Sequence, residues 1–178
     1  MDRRRFVGGL LATGFLVALP IGPVLARQGS GHDLVVAADE LQRLDRDKDY
    51  WRQHVDADAW RILFEERTEP AFSSPLDGFY EDGTYVCAAC HLPLFSSETK
   101  YDSGTGWPSF YDVIDGHVDT KPDWLLFYRR TEYHCIRCGG HQGHVFNDGP
   151  EPTGERWCNN GLALRFVPAS DPLPALRG

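Results

Sequence analysis

Positive charge is scarce in this chain: 18 Lys and Arg face 26 Asp and Glu, a formal net charge of −8 over 178 residues. The first 26 residues hold one acid and three arginines, which leaves −10 on the remainder. A surface that acidic repels a phosphate backbone, so nucleic acid is excluded as a non-specific partner, and so is an anionic membrane surface. No internal repeat is present, which excludes a solenoid or propeller. No long apolar run is unbroken. The longest, Phe6 to Leu25, is interrupted by Gly8, Gly9, Gly14, Pro20, Gly22 and Pro23. The cysteines do not fall at the spacings of iron–sulfur proteins. They are also few, five in all, and their number is odd.

The interrupted run follows Arg3-Arg4-Arg5-Phe6 and ends at Val24-Leu25-Ala26, a small-x-Ala cleavage pattern. Residues 1–26 therefore read as an export signal rather than a retained transmembrane anchor, although ~20 apolar residues would suffice to span a bilayer. Arg-Arg-x-Phe is similar to the twin-arginine signal of the route that exports folded proteins. The expected location is periplasmic, or membrane-anchored if the leader is kept.

Residues 27–32 read as a flexible junction within an N-terminal extension, 27–49. Leu34, Ala37, Ala38, Leu41 and Leu44 fall at helical spacing and predict a helix from Asp33 to Arg46. A second helix is expected after an Asp56 N-cap, with Trp60, Leu63 and Phe64 on one face, ending near Thr68-Glu69-Pro70. Beyond Pro70 the pattern is strands and turns. Strands are predicted at Thr84–Cys87, Leu92–Phe95, Phe110–Ile114 and Trp124–Tyr133, a turn at Asn147–Pro150, and a half-buried strand through Leu162, Leu164 and Phe166. From Pro168 onward the chain reads as a loose tail. The fold class is mainly β, with one or two N-terminal helices.

Four cysteines form two C-x-x-C pairs, Cys87/Cys90 and Cys135/Cys138, the soft donor set of tetrahedral zinc. Two redox disulfides are the alternative. Four protein ligands leave a zinc ion no open position, so its role would be structural. Its apparent binding energy, ~10–16 kcal/mol, matches a whole domain's stability of ~5–15 kcal/mol.

Cys158 is the surplus thiol. A buried core cysteine is the ordinary reading, but Arg156 lies two residues away, on the same face of a strand, where a cation favours thiolate. Asn159 and Asn160 are a poor setting for a sulfur that is only packed. His141 and His144 could be core or ligand residues; near neutrality an imidazole also suits proton donation to a departing oxygen. Trp107, between a Gly-Thr-Gly turn and Pro108, could be core or the wall for a small apolar group.

Several motifs occur in one order: Gly106-Trp107-Pro108-Ser109-Phe110, Cys135-x-x-Cys138 with His141-x-x-His144-Val145-Phe146, Asp148-Gly149-Pro150, and Arg156-Trp157-Cys158-x-Asn160. Together they resemble the B-type peptide methionine sulfoxide reductases, from about Tyr50 to Val167. The resemblance implies a β-sandwich-like domain of two antiparallel sheets over residues 50–167, with zinc held by the four paired cysteines away from the active site. It makes Cys158 the nucleophile that takes the oxygen of methionine R-sulfoxide and becomes a sulfenic acid. Trp107 and Phe146 would face the substrate. His141, His144 and Asn160 would stabilise or protonate the oxygen, supported by Asp148 and Arg156. Many members carry a resolving cysteine where this chain has Thr105, so an external, thioredoxin-like thiol is expected to complete the cycle. Trp157 and Gly161 depart from the usual Arg-Tyr-Cys-x-Asn-Ser around the nucleophile, with Asn159 in the variable position, and all three bear on substrate preference. A zinc-stabilised β module that only binds a partner is the competing reading.

Overall fold

The computed structural model describes Leu34, residues 36–124 and residues 130–178. The leader (1–26), the junction (27–32) and positions 125–129 of one predicted strand lie outside the described residues. Nine strands are present among the described residues: β1 (Gly83–Cys87), β2 (Pro93–Ser96), β3 (Lys100–Tyr101), β4 (Ser109–Phe110), β5 (Val118–Asp123), β6 (Arg130–Cys135), β7 (His141–Phe146), β8 (Arg156–Asn159) and β9 (Leu164–Pro168). They build a three-stranded sheet, β2-β1-β9, and a six-stranded sheet, β3-β4-β8-β7-β6-β5, with every pairing antiparallel. The mainly β, two-sheet fold class is the one expected.

The sheets meet through aromatic rings. Phe95 stacks on Phe110 at 4.1 Å between centroids and Tyr85 meets Phe110 edge-on at 5.0 Å; within the six-stranded sheet Tyr133 meets Trp157 at 5.0 Å. All five side chains are buried. Each contributes ~1.5–3 kcal/mol of burial, so this layer is a large part of the hydrophobic drive.

The Asp56 cap forms as predicted: its carboxylate accepts the N–H groups of Asp58 (3.1 Å) and Ala59 (2.8 Å) at the start of α1 (Ala57–Glu65). The helix buries Trp60, Leu63 and Phe64 and stops at Glu66, whose φ is 57°. That is earlier than the expected end near Thr68.

Four predicted elements differ. Among the described residues from Leu34 to Arg46 there is no helix. The backbone there bonds across the chain instead, Leu44 N–H to Arg137 O at 2.8 Å, while Val36, Leu41 and Leu44 pack on the core. The first helical element is a 3₁₀ helix, Lys48–Gln53. Strand β4 ends at Phe110, because Tyr111 and Ile114 send their N–H groups to Thr99 and Leu94. Of the predicted Trp124–Tyr133 strand, the described part begins at Arg130 and continues past Tyr133 to Cys135, and β5 precedes it unannounced. Its sequence, VDTKPD, is polar and contains Pro122, which an edge strand tolerates. Leu162 lies in a 3₁₀ turn (Gly161–Ala163) and is exposed rather than half-buried.

The tail is not loose. Leu176 packs against the core. Arg177 N–H donates to Cys90 O at 3.0 Å, and the Arg177 guanidinium reaches the carbonyls of His54 (3.0 Å), Ala89 (3.3 Å) and Ala88 (3.5 Å). Arg137 joins this end to the extension, donating to Glu40 O at 2.9 Å and to Arg177 O. Arg177→Ala strands buried carbonyls and is expected to destabilise the fold by about 1–3 kcal/mol in urea unfolding. An unchanged midpoint would show the tail to be as loose as its composition suggests.

Candidate active site and thiolate cluster

The four paired cysteines converge. Cys87 ends β1 and Cys135 ends β6, and each is followed by a tight turn that returns a second thiol, Cys90 or Cys138. The Sγ atoms lie within 4.8 Å of one another, with Cys87–Cys138 at 3.6 Å and Cys90–Cys135 at 3.5 Å. These are contacts between separate sulfurs, since a disulfide requires ~2.05 Å. All four are buried. Gly139 takes φ 69° in the second turn, a left-handed conformation that favours glycine. Gly140 N–H points to Cys138 Sγ at 3.4 Å, and the Gln142 carboxamide to Cys87 Sγ at 3.5 Å. Sulfurs so clustered and so supplied with N–H donors can hold one metal ion.

Cys158 lies elsewhere, at the middle of the six-stranded sheet. Register decides its surroundings: in β4 its partner is Ser109, in β7 it is His144. Residues directly paired across antiparallel strands share a face. His144 pairs in turn with Glu132 of β6, and Glu132 with Lys121 of β5. A polar row thus crosses the sheet, Ser109–Cys158–His144–Glu132–Lys121. Gly143 permits it, because a Cβ there would sit 1.9 Å from the Cys158 carbonyl oxygen.

His141 would face away from His144 under strict alternation, three residues being an odd step. A register shift in the β6–β7 pairing removes the conflict: Tyr133 pairs with Gly143, but the next residue, His134, pairs with His141. Gln142 is the extra residue, a bulge. His141 consequently joins the row, its ring 5.4 Å from that of His144 and its Nδ1 2.9 Å from a Glu132 oxygen. The angle of that approach is not that of a hydrogen bond. Burial pushes the Glu132 carboxyl up, but His141 and Lys121 outweigh it and hold the group below the usual range.

A cavity of about 100 Å³ opens on Cys158, lined by Thr68, Trp107, Arg130, His144 and Phe146, with Asn159 and Asn160 at its base. That is the volume of roughly three waters at ~30 Å³ each, room for a small group of a few heavy atoms. A larger cleft of about 650 Å³ between Asp56, Ser74 and Arg165 contains no thiol.

The expected residues separate by position. Trp107, His144, Phe146, Cys158 and Asn160 line the cavity; His141 is sealed behind them, 2% exposed. Asn160 has both ends of its carboxamide engaged, Oδ1 accepting Glu69 N–H (3.0 Å) and Nδ2 donating to Gln142 O (2.9 Å). Arg156 grips Asp148 through two bonds, 2.8 and 2.9 Å, and lies 4.2 Å over the Phe146 ring. Sequence reasoning missed Asp123, whose carboxylate meets His144 Nε2 at 2.8 Å and Arg130 at 2.6 Å. It also missed Glu132, Ser109 and Glu69. In the sequence Glu69 reads only as a helix end, and nothing in VDTKPD marks Asp123.

Burial and charge oppose one another here. Burial pushes the Cys158 thiol up, against the Arg156 charge and hydrogen bonds from Thr105, Arg156 and Ser109, and burial wins. The expected cation is in place, but it does not hold Cys158 as a thiolate. Burial likewise lowers His144, against Asp123, so its ring is neutral near pH 7.

A family model described as the SelR domain matches residues 55–168. The peptide methionine sulfoxide reductase MsrB of Leptospira interrogans is 50% identical over 128 residues, 71% of this chain and 95% of that protein. The protein of the same name from Methanosarcina mazei is 45% identical over 130 residues, 72% and 93% of the two chains. That from Thiobacillus denitrificans is 48% identical over 119 residues, 66% and 90%.

A half-buried thiol titrating above its ordinary value has a testable profile. Iodoacetamide modification mapped to Cys158 should accelerate about tenfold per pH unit from pH 7 to 9. Arg156→Met should slow it further at each pH. A rate already level at pH 7 would mean that Arg156, not burial, dominates.

Proposed function

The chain belongs to the B-type peptide methionine sulfoxide reductases, the family of the SelR domain, and from that premise we propose that Cys158 performs the reduction through a sulfenic acid and acts on the R epimer. The observation that carries this reading is the placement of Cys158 between Ser109 and His144 at the mouth of a cavity walled by Trp107.

The substrate's S-methyl group packs against the faces of Trp107 and Phe146, and its oxygen points toward His144. The Cys158 sulfur attacks the sulfoxide sulfur. An S–S bond forms as the S–O bond breaks, the oxygen departing as water once protonated. Water then bonds to the Cys158 sulfur as the S–S bond breaks, so the methionine sulfur has gained two electrons, Cys158 has lost two, and one thiol and one sulfoxide give one sulfenic acid and one methionine. Asp123 orients the His144 ring through Nε2, and the Asp148–Arg156 pair fixes the guanidinium beside the reacting sulfur. Epimer choice follows from the fixed directions of the methyl wall and the imidazole. The other four cysteines are gathered in their own cluster, and Thr105, where many relatives hold a resolving thiol, bonds to Cys158 instead. Two equivalents of an external thiol, thioredoxin-like, then return Cys158 to the thiol with release of water and a disulfide.

The ion proposed for the cluster is zinc. A tetrahedron with Zn–S bonds of ~2.3 Å has edges of about 3.8 Å, close to the 3.5 and 3.6 Å contacts between the sulfurs. Cys87, Cys90, Cys135 and Cys138 would hold it, tying the β1–β2 turn to the β6–β7 turn and taking no part in the reaction.

Residues 1–26 are proposed to direct export, with the enzyme acting in the periplasm on oxidised proteins or peptides. Fractionation of cells producing the full chain should recover it in the periplasm, without residues 1–26. Recovery of the intact chain in the cytoplasm would end that reading.

Cys158→Ser should lower kcat/KM on a peptide methionine R-sulfoxide by at least about 1,000-fold while leaving one zinc per chain and the circular dichroism unchanged. Without reductant, the unmodified enzyme should release one methionine per chain and gain one oxygen, trapped by dimedone at Cys158. A disulfide to Cys158 in its place would overturn the single-thiol cycle.

A further inference from the structure

Glu69 is a buried carboxylate for which the reaction has no use. It is 4% exposed, and burial pushes its carboxyl up against two opposing backbone hydrogen bonds. Those bonds come from the N–H groups of Gly161 (2.5 Å) and Leu162 (3.0 Å), just beyond β8. The main chain of the same residue touches two cavity-lining side chains. Its N–H donates to Asn160 Oδ1 at 3.0 Å, and its carbonyl accepts the Trp107 indole Nε1–H at 3.1 Å. Three residues on, Phe72 N–H donates to Gly106 O at 2.7 Å, a second clip on the Trp107 loop.

The geometry points to Glu69 as a positioning residue for substrate binding: its carboxylate pins the segment after α1 to the end of β8, and its backbone sets the Trp107 ring plane and the Asn160 carboxamide. A buried carboxylate is an expensive group to place in a loop, and backbone donors alone offset only part of its desolvation. What it achieves is a fixed placement of the segment after α1, which belongs to no strand, against the paired ends of β4 and β8. Thr68, its neighbour, lines the cavity beside Trp107 and Asn160, so a shift of this segment moves one cavity edge. Glu69 itself does not line that cavity, so its effect passes through Trp107.

This inference rests on the reading of Trp107 as the wall for the substrate's methyl group, and the test separates the two. Glu69→Gln, Trp107→Phe and the double variant are compared on a methionine R-sulfoxide peptide, with near-UV circular dichroism as the check on folding. Glu69→Gln should raise KM about 5- to 10-fold, the size of one lost hydrogen bond, with kcat changed less than about threefold. In the Trp107→Phe background, where the indole N–H is already gone, the same substitution should raise KM less than about twofold. Effects that multiply in the double variant, or a Glu69→Gln KM equal to wild type, overturn the Glu69 proposal alone. A Trp107→Phe variant with unaltered KM and kcat overturns the cavity reading beneath it. If Glu69→Gln does not fold, Glu69→Asp takes its place in the cycle; if neither folds, Glu69 is structural and the positioning role is wrong.

Discussion

The structure depends most on the register of β8 between β4 and β7. A strand presents alternate side chains to opposite faces, so a slip of one residue would exchange Cys158 for Trp157 or Asn159 in the polar row. Two features hold the register. On the inner face Trp157 packs edge-on against Tyr133, a contact that a slip would bring to solvent. Asn159, fully buried, receives the Tyr133 hydroxyl at 2.7 Å and donates to Asn160 O at 2.7 Å. Displacing it would leave several buried polar groups unmet at ~1–3 kcal/mol each. The residues beside the nucleophile are thus the lock that aims it, which gives a physical role to Trp157, where the family usually has tyrosine, and to Asn159 at the variable position.

The thiolate cluster works at a different level. It joins turns from the two sheets, and segments outside the family match close over it. The extension reaches it through Leu44 and Glu40, and the tail through Arg177, both by way of Arg137 or the Cys90 turn. These segments bury the cluster without contributing a ligand. Because Cys135 begins the turn that leads into β7, the cluster also bears on where His141 and His144 start, and so on the row that ends at Cys158.

How much of this was legible in the sequence follows from what kind of pattern each feature leaves. The cysteine pairs, the Asp56 cap and the Thr84–Cys87 strand are local, and local spacing found them. The motif resemblance named the cavity's main residues because their order is itself a signature. Strand β5 was invisible because an edge strand needs no apolar alternation, and Pro122 argued against it. The bulge at Gln142, which brings His141 beside His144, has no spacing signal: alternation alone separates them. The helix read into Leu34–Leu44 had the right period, yet its apolar residues belong to an irregular segment held by Arg137. Asp123 and Glu69 reach His144, Trp107 and Asn160 from 21 residues away or more, and Glu132 reaches His141 only across the bulge; no local pattern reports such a carboxylate's partner.

The balance of charge at Cys158 bears on the chemistry proposed for it. A thiol held up by burial looks like a handicap, since the thiolate is the better nucleophile. Reduction of a sulfoxide, however, needs a proton on the departing oxygen as well as an electron pair at sulfur. His144 is neutral, and its Nε2 is occupied by Asp123; His141 is enclosed behind it. A Cys158 that enters as the thiol carries the needed proton into a cavity that admits little water. Its hydrogen-bond partners Thr105, Ser109 and Arg156 are placed to relieve the charge as that proton moves. On this account the partial burial that weakens the nucleophile also supplies the acid, and one half-buried sulfhydryl serves both halves of the step.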